Sequence, residues 1–178
     1  VIAALLLALV APAASADAAP CVPAATAEIA PSTLADHRAL RETLNESMPA
    51  AATMVMLFGR GGHLSTSEYS IVLARRADGR WDGTAVGRSQ IWVKGAPFNP
   101  LGRREWTLDQ EKSRALDAAI VRRCPAARAV DDGDSANRMP DHMGERIDLI
   151  RPCAPVITFR PADANGGLDG LLRPPAYR

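Results

Sequence analysis

TMVMLF (residues 53–58), followed by GRGG (residues 59–62), is the stretch on which the fold turns. A strand with one wet face alternates apolar and polar side chains. This run does not alternate, so it reads as a strand buried on both faces in the interior of a sheet, with the glycines as the turn that ends it.

Working outward from it, Tyr69, Ile71 and Leu73 alternate with Ser70, Val72 and Ala74, which gives a second strand. Ala77-Asp78-Gly79-Arg80 carries the Asp-Gly pair that a tight hairpin favours, so a third strand should return from Trp81 to about Val93. Gly83, Gly87 and Gly95 point to a bulged or broken strand there. Upstream, Thr33 and Asp36 mark a helix start. Leu40, Leu44 and Met48 then recur at helical spacing up to Pro49.

The clearest helix is TLDQEKSRALDAAIVRR (residues 107–123). Thr107 and Gln110 match a capping box, Asp109 and Glu111 sit at its positive end, and Arg122 and Arg123 at its negative end. Leu108, Ala115, Leu116, Ala119 and Ile120 form its apolar stripe. After the polar link DDGDSAN come two strands, RIDLI and PVITFR, and NGGLDGLLRPP closes with one short helical turn. The order implies an α+β domain: a largely antiparallel sheet of about five strands, with one long and one shorter helix packed on one face. Its expected extent is residues 32–178, including a Pro-rich tail.

The amino-terminal VIAALLLALVAPAASADAAPC is apolar from Val1 to Val10 and broken at Pro12, about half the length that crosses a bilayer. Ala14-Ser15-Ala16 supplies the A-x-A pattern of signal peptidase, so residues 1–16 read as a signal peptide lacking its n-region. Residues 17–31 read as a flexible leader rich in Ala and Pro. The expected compartment is periplasmic or extracellular. Pro20 before Cys21 argues against acylation, so no stable membrane anchor is expected once the signal is removed.

An oxidising compartment permits a disulfide. Cys124 continues the stripe of Leu116 and Ile120, and Cys153 shares strand parity with Ile147 and Leu149. Two thiols on facing buried surfaces imply a Cys124–Cys153 bridge, leaving Cys21 as the odd thiol.

Charge gives little direction: the formal net charge of the 178 residues is +1, so no basic excess points to nucleic acid. Catalytic signatures are equally sparse. Gly87-Arg88-Ser89-Gln90-Ile91 lacks the last glycine of a nucleophile elbow. His37, His63 and His142 fall in separate elements with no metal-ligand spacing between them, and no cofactor is expected.

Trp81, Trp92 and Trp106 stand out in an aromatic-poor chain, with Arg80 beside the first and Arg104 near the last. Tryptophan next to arginine anchors partners or stacks on flat ligands, and it also supplies core bulk. Strand parity places Trp92 with Gln90 and Lys94, away from Ile91 and Val93. These five residues are the candidate binding set. The reading that follows is an exported binding or accessory module of the cell envelope, with an unidentified protein or envelope ligand as partner. The alternative is a small periplasmic hydrolase using His63 or His142 as base.

Overall fold

The computed structural model describes residues 33–62, 65–122, 144–152, 156–159 and 168–174. Helix α1 (Leu34–Thr43) precedes strands β1 (Met54–Gly61), β2 (Ser65–Arg75), β3 (Trp81–Ile91), β4 (Asn99–Pro100) and β5 (Arg104–Thr107). Helix α2 (Gln110–Arg122), strands β6 (Gly144–Ile150) and β7 (Ile157–Phe159) and helix α3 (Leu168–Leu172) follow. All strand pairs are antiparallel, in the order β4-β3-β2-β1-β6-β7, with β5 also beside β3. The mixed α+β class is the one the sequence implies, with more strands than the expected five because two short ones, β4 and β5, share the edge of β3.

β1 lies inside the sheet between β2 and β6, and Met54, Val55, Met56 and Leu57 are all buried. Val55 and Leu57 join Ile71, Leu73, Ile147 and Leu149 in the larger core, which Leu116, Ala119 and Ile120 of α2 and Leu168 and Leu172 of α3 cover. Removing each large apolar side chain from water stabilises the fold by roughly 1.5–3 kcal/mol. Met54, Met56 and Val72 form a smaller core on the opposite face, closed by Leu34, Met48, Ala51, Ala74 and Ile150. The expectation that both main helices lie on one face is therefore corrected. A central strand apolar on both sides needs cover on both sides, and α1 supplies the second.

α1 stops six residues before Pro49. Asn45 takes a left-handed conformation at φ 56°, the Asn45 amide donates to the Glu42 carbonyl and the Glu46 amide to the Arg41 carbonyl. This is a Schellman ending with Asn in place of Gly. Thr33 does not cap the helix with its side chain, because its hydroxyl donates to Asp148 of β6 at 3.2 Å.

β1 continues past the expected turn, with Gly59, Arg60 and Gly61 all paired to β2. β3 is likewise unbroken, in register with β2 over its whole length. Its Gly83 makes room for an aromatic ring: a Cβ there would stand 2.2 Å from the Trp106 indole, as one at Gly59 would stand 2.3 Å from the Tyr69 ring. Glycine inside a strand marks this kind of close approach. The hairpin between β2 and β3 turns at Asp78-Gly79, where Gly79 has φ 83° and the Arg76 amide donates to the Arg80 carbonyl.

α2 begins later than the sequence implied. Thr107 belongs to β5 and its hydroxyl donates to Asp82 at 2.7 Å, while Asp109 caps the helix by accepting from the Lys112 amide at 2.8 Å. That amide is the main reason the Asp109 carboxyl titrates below its usual range. Asp117 seats the helix on the hairpin, accepting from the Trp81 indole at 3.0 Å and from Arg75 at 3.0 and 3.1 Å.

Candidate functional site

The β2–β3 register pairs Glu68 with Arg88, and the β1–β2 register pairs Arg60 with Glu68. Three charged side chains therefore form one row across three strands, on the face that carries α1. Glu68 is held between the two guanidinium groups. Arg60 Nε lies 2.9 Å from one carboxylate oxygen, while Nε and an Nη of Arg88 lie 2.7 Å from the other. The Glu68 side chain is only 7% exposed, which the two positive charges compensate.

The Arg88 guanidinium also lies over the Phe98 ring, 4.1 Å from its centroid, a cation–π contact. Just beyond the end of β3, the Trp92 indole N–H donates to the Thr66 hydroxyl at 2.8 Å. This bond pins the ring while leaving Trp92 56% exposed, and Ile91, Val93, Phe98 and Leu101 are exposed around the same end of the sheet. Trp92 beside Thr66 and Phe98 beside Arg88 stand on the face that carries α1, whereas Leu101 reaches Gly87 and Tyr69 on the other. Exposed large apolar side chains at one end of a sheet mark a candidate contact site.

α1 forms the wall of a cleft of about 320 Å³ beside this row. Asp36, Ala39, Leu40 and Thr43 line the helix side, and Phe58, Arg60, Glu68 and Arg88 line the sheet side. The helix residues follow i, i+3, i+4 and i+7 spacing, so one stripe of α1 faces the cleft. A buried polar network beneath α1 fixes the wall in place. Arg41 donates to the Ser70 hydroxyl at 2.8 Å, the Ser70 carbonyl at 3.2 Å and the Thr84 hydroxyl at 3.1 Å. Asp148 accepts from Thr33 and, at 2.6 Å, from Thr158.

His37 belongs to this network, with Nδ1 2.7 Å from Ser70 Oγ and its ring edge-on to Phe58. Ser70 Oγ is thus shared between His37 Nδ1 and Arg41, which can only donate to it, while His37 Nε2 is buried with no hydrogen-bond partner among the described residues. Burial, and then the neighbouring Arg41 charge, push the imidazole down to about 3. A histidine next to a serine invites a catalytic reading. Here both side chains are fully buried under α1 and the serine oxygen already accepts from Arg41, so the pair anchors the helix.

At the same end of the sheet, on the other face, Tyr69 donates to Glu145, and Arg173 donates to the Tyr69 hydroxyl at 2.9 Å and to Glu145 at 2.6 Å. Burial and the Glu145 carboxylate push the Tyr69 phenol well above its usual range. This cluster joins α3 to the sheet.

Of the candidate binding residues, Trp81 is 0% exposed and bound to Asp117, so its indole is core. Trp106 is half-buried over Gly83 and packs on the larger core, and Arg80 and Arg104 are exposed near that end of the sheet. Trp92 stands at the opposite end of β3, about 35 Å from Trp81 along the strand at roughly 3.3 Å per residue, with Trp106 and Arg104 opposite Gly83 and Ala85 between them. The five residues are not brought together. Phe58, Arg60, Glu68, Arg88 and Phe98, which do surround the cleft and its rim, carry no recognisable motif. Cys21, Cys124, Cys153, His63 and His142 lie outside the described residues. Among the described residues no three His, Cys, Asp or Glu side chains converge as metal ligands would, and no helix is long and apolar enough to cross a membrane.

Compared with known protein families, with curated proteins and with solved structures, the chain matches none of them.

Proposed function

We propose that the chain is an exported binding or accessory module of the cell envelope, contacting its ligand through the surface formed by Trp92, Phe98 and Arg88. The observation that carries this reading is the exposure of Trp92 and its apolar neighbours at one end of the sheet. An indole pinned by Thr66 loses little freedom when a partner covers it, and aromatic and arginine side chains carry much of the energy of such contacts. The apolar start of the chain and its A-x-A site support export. In that compartment a Cys124–Cys153 bridge would tie the segment after α2 to the one after β6, two elements that share the larger core.

The test immobilises the chain from residue 17 onward and passes a detergent-solubilised envelope fraction over it, beside the Trp92→Ser/Phe98→Ser double variant. Both substituted side chains are exposed, so the variant retains the fold. Components held by the parent chain and released from the variant support the reading. Identical retention by both, or none by either, contradicts it.

A further inference from the structure

We infer that the cleft between α1 and the Arg60–Glu68–Arg88 row is a binding site for a small zwitterion of dipeptide size, its ammonium end on Asp36 and its carboxylate end on Arg60. The inference rests on the binding-module reading and names the chemistry that the module recognises.

Charge on the two walls carries it. The sheet wall holds two guanidinium groups around one carboxylate, which leaves it a net positive charge. Arg60 approaches Glu68 through Nε, and its Nη atoms pair with no second carboxylate among the described residues. The side chain is 67% exposed, so this planar edge is open to a ligand carboxylate. The helix wall holds the opposite charge: Asp36 is exposed, lines the cleft and has no ion-pair partner among the described residues. A ligand with one charge alone would satisfy one wall and leave the other unmatched. A ligand with both satisfies the two together.

Size and polarity agree with that assignment. A cleft of about 320 Å³ is on the scale of a dipeptide, whose ends stand about 7 Å apart when extended. Ala39 and Leu40 of the helix wall and Phe58 of the sheet wall add apolar lining suited to small aliphatic side chains. Arg88 links the cleft to the Phe98 ring, so a longer peptide would run out over the exposed aromatic surface.

Calorimetric titration of the chain from residue 17 onward with L-alanyl-L-alanine, its N-acetyl form and its C-terminal amide tests this. The free dipeptide should bind and each blocked form should bind at least about tenfold more weakly, since each loses one charge-assisted contact. Asp36→Asn should abolish discrimination against the acetyl form and keep it against the amide, and Arg60→Gln should do the reverse. Both residues are exposed, and unchanged circular dichroism confirms that the variants fold. Equal affinity for the three ligands, or no binding of the free dipeptide up to about 10 mM, overturns the inference. If Trp92-dependent retention of envelope components persists in that case, only the ligand class has failed; if it is lost too, the binding-module reading fails with it.

Discussion

His37 Nδ1 and Ser70 Oγ lie 2.7 Å apart beneath α1, and both side chains are fully buried. The pair couples the cleft wall to pH. In the unfolded chain the imidazole titrates near 6.5, whereas in the folded chain it stays neutral down to about 3. Stability from this group is therefore complete above pH 6.5 and is lost as pH falls towards 3, by up to about 1.4 kcal/mol per pH unit. Urea unfolding at pH 7, 6 and 5 checks this. His37→Gln, whose side-chain amide can still hydrogen-bond Ser70, should flatten the slope between pH 6.5 and 5, and an unchanged slope would refute the assignment.

Gly83 should tolerate no side chain. A Cβ there would stand 2.2 Å from the Trp106 indole, so Gly83→Val should displace the ring and loosen β5. The expected loss is about 1–3 kcal/mol, typical of overpacking. A red-shifted Trp emission should accompany it, and thermal unfolding at the parent temperature would contradict it.

The three indoles should differ in solvent access. Trp81 is shielded, Trp106 half-shielded and Trp92 open. Acrylamide should quench one bright fraction of the emission readily, and Trp92→Phe should remove that fraction. An unchanged quenching curve in the variant would mean that the Trp92 indole is not open in solution, which contradicts its role as a contact residue.

Those differences show what the sequence carried. TMVMLF identified the interior strand because its side chains are apolar on both sides, and Asp78-Gly79 located the hairpin because few other residues accept φ 83°. β3 looked broken because Gly83 answers to the Trp106 ring of β5 and Gly87 to the close approach of Glu68, Tyr69 and Leu101, contacts made across the sheet and not along the chain. Thr107 resembled a helix cap for the same reason: its hydroxyl is used by Asp82, across the sheet. The cleft was legible in principle. Once the hairpin fixes the register, Glu68 must face Arg88, and an opposite-charge cross-strand pair is a local signal. Arg60 and the stripe of α1 could not be added without knowing that α1 lies on that face.

Mass mapping of the non-reduced chain tests the proposed Cys124–Cys153 bridge. A peptide pair containing Cys124 and Cys153 is expected. Closing a loop of about 30 residues should add roughly 3–4 kcal/mol, lost on reduction. A linked Cys21 peptide would replace this pairing with another.

The central claim is that ligand is met at the Trp92 end of the sheet, on the face that carries α1. Amide hydrogen exchange measures this most directly, comparing the chain from residue 17 onward alone and with the envelope component it retains. Added protection should fall on residues 58–68 and 88–101 and spare the β2–β3 hairpin at 76–80. Protection centred on that hairpin, or no protection at residues 88–101, would contradict the account.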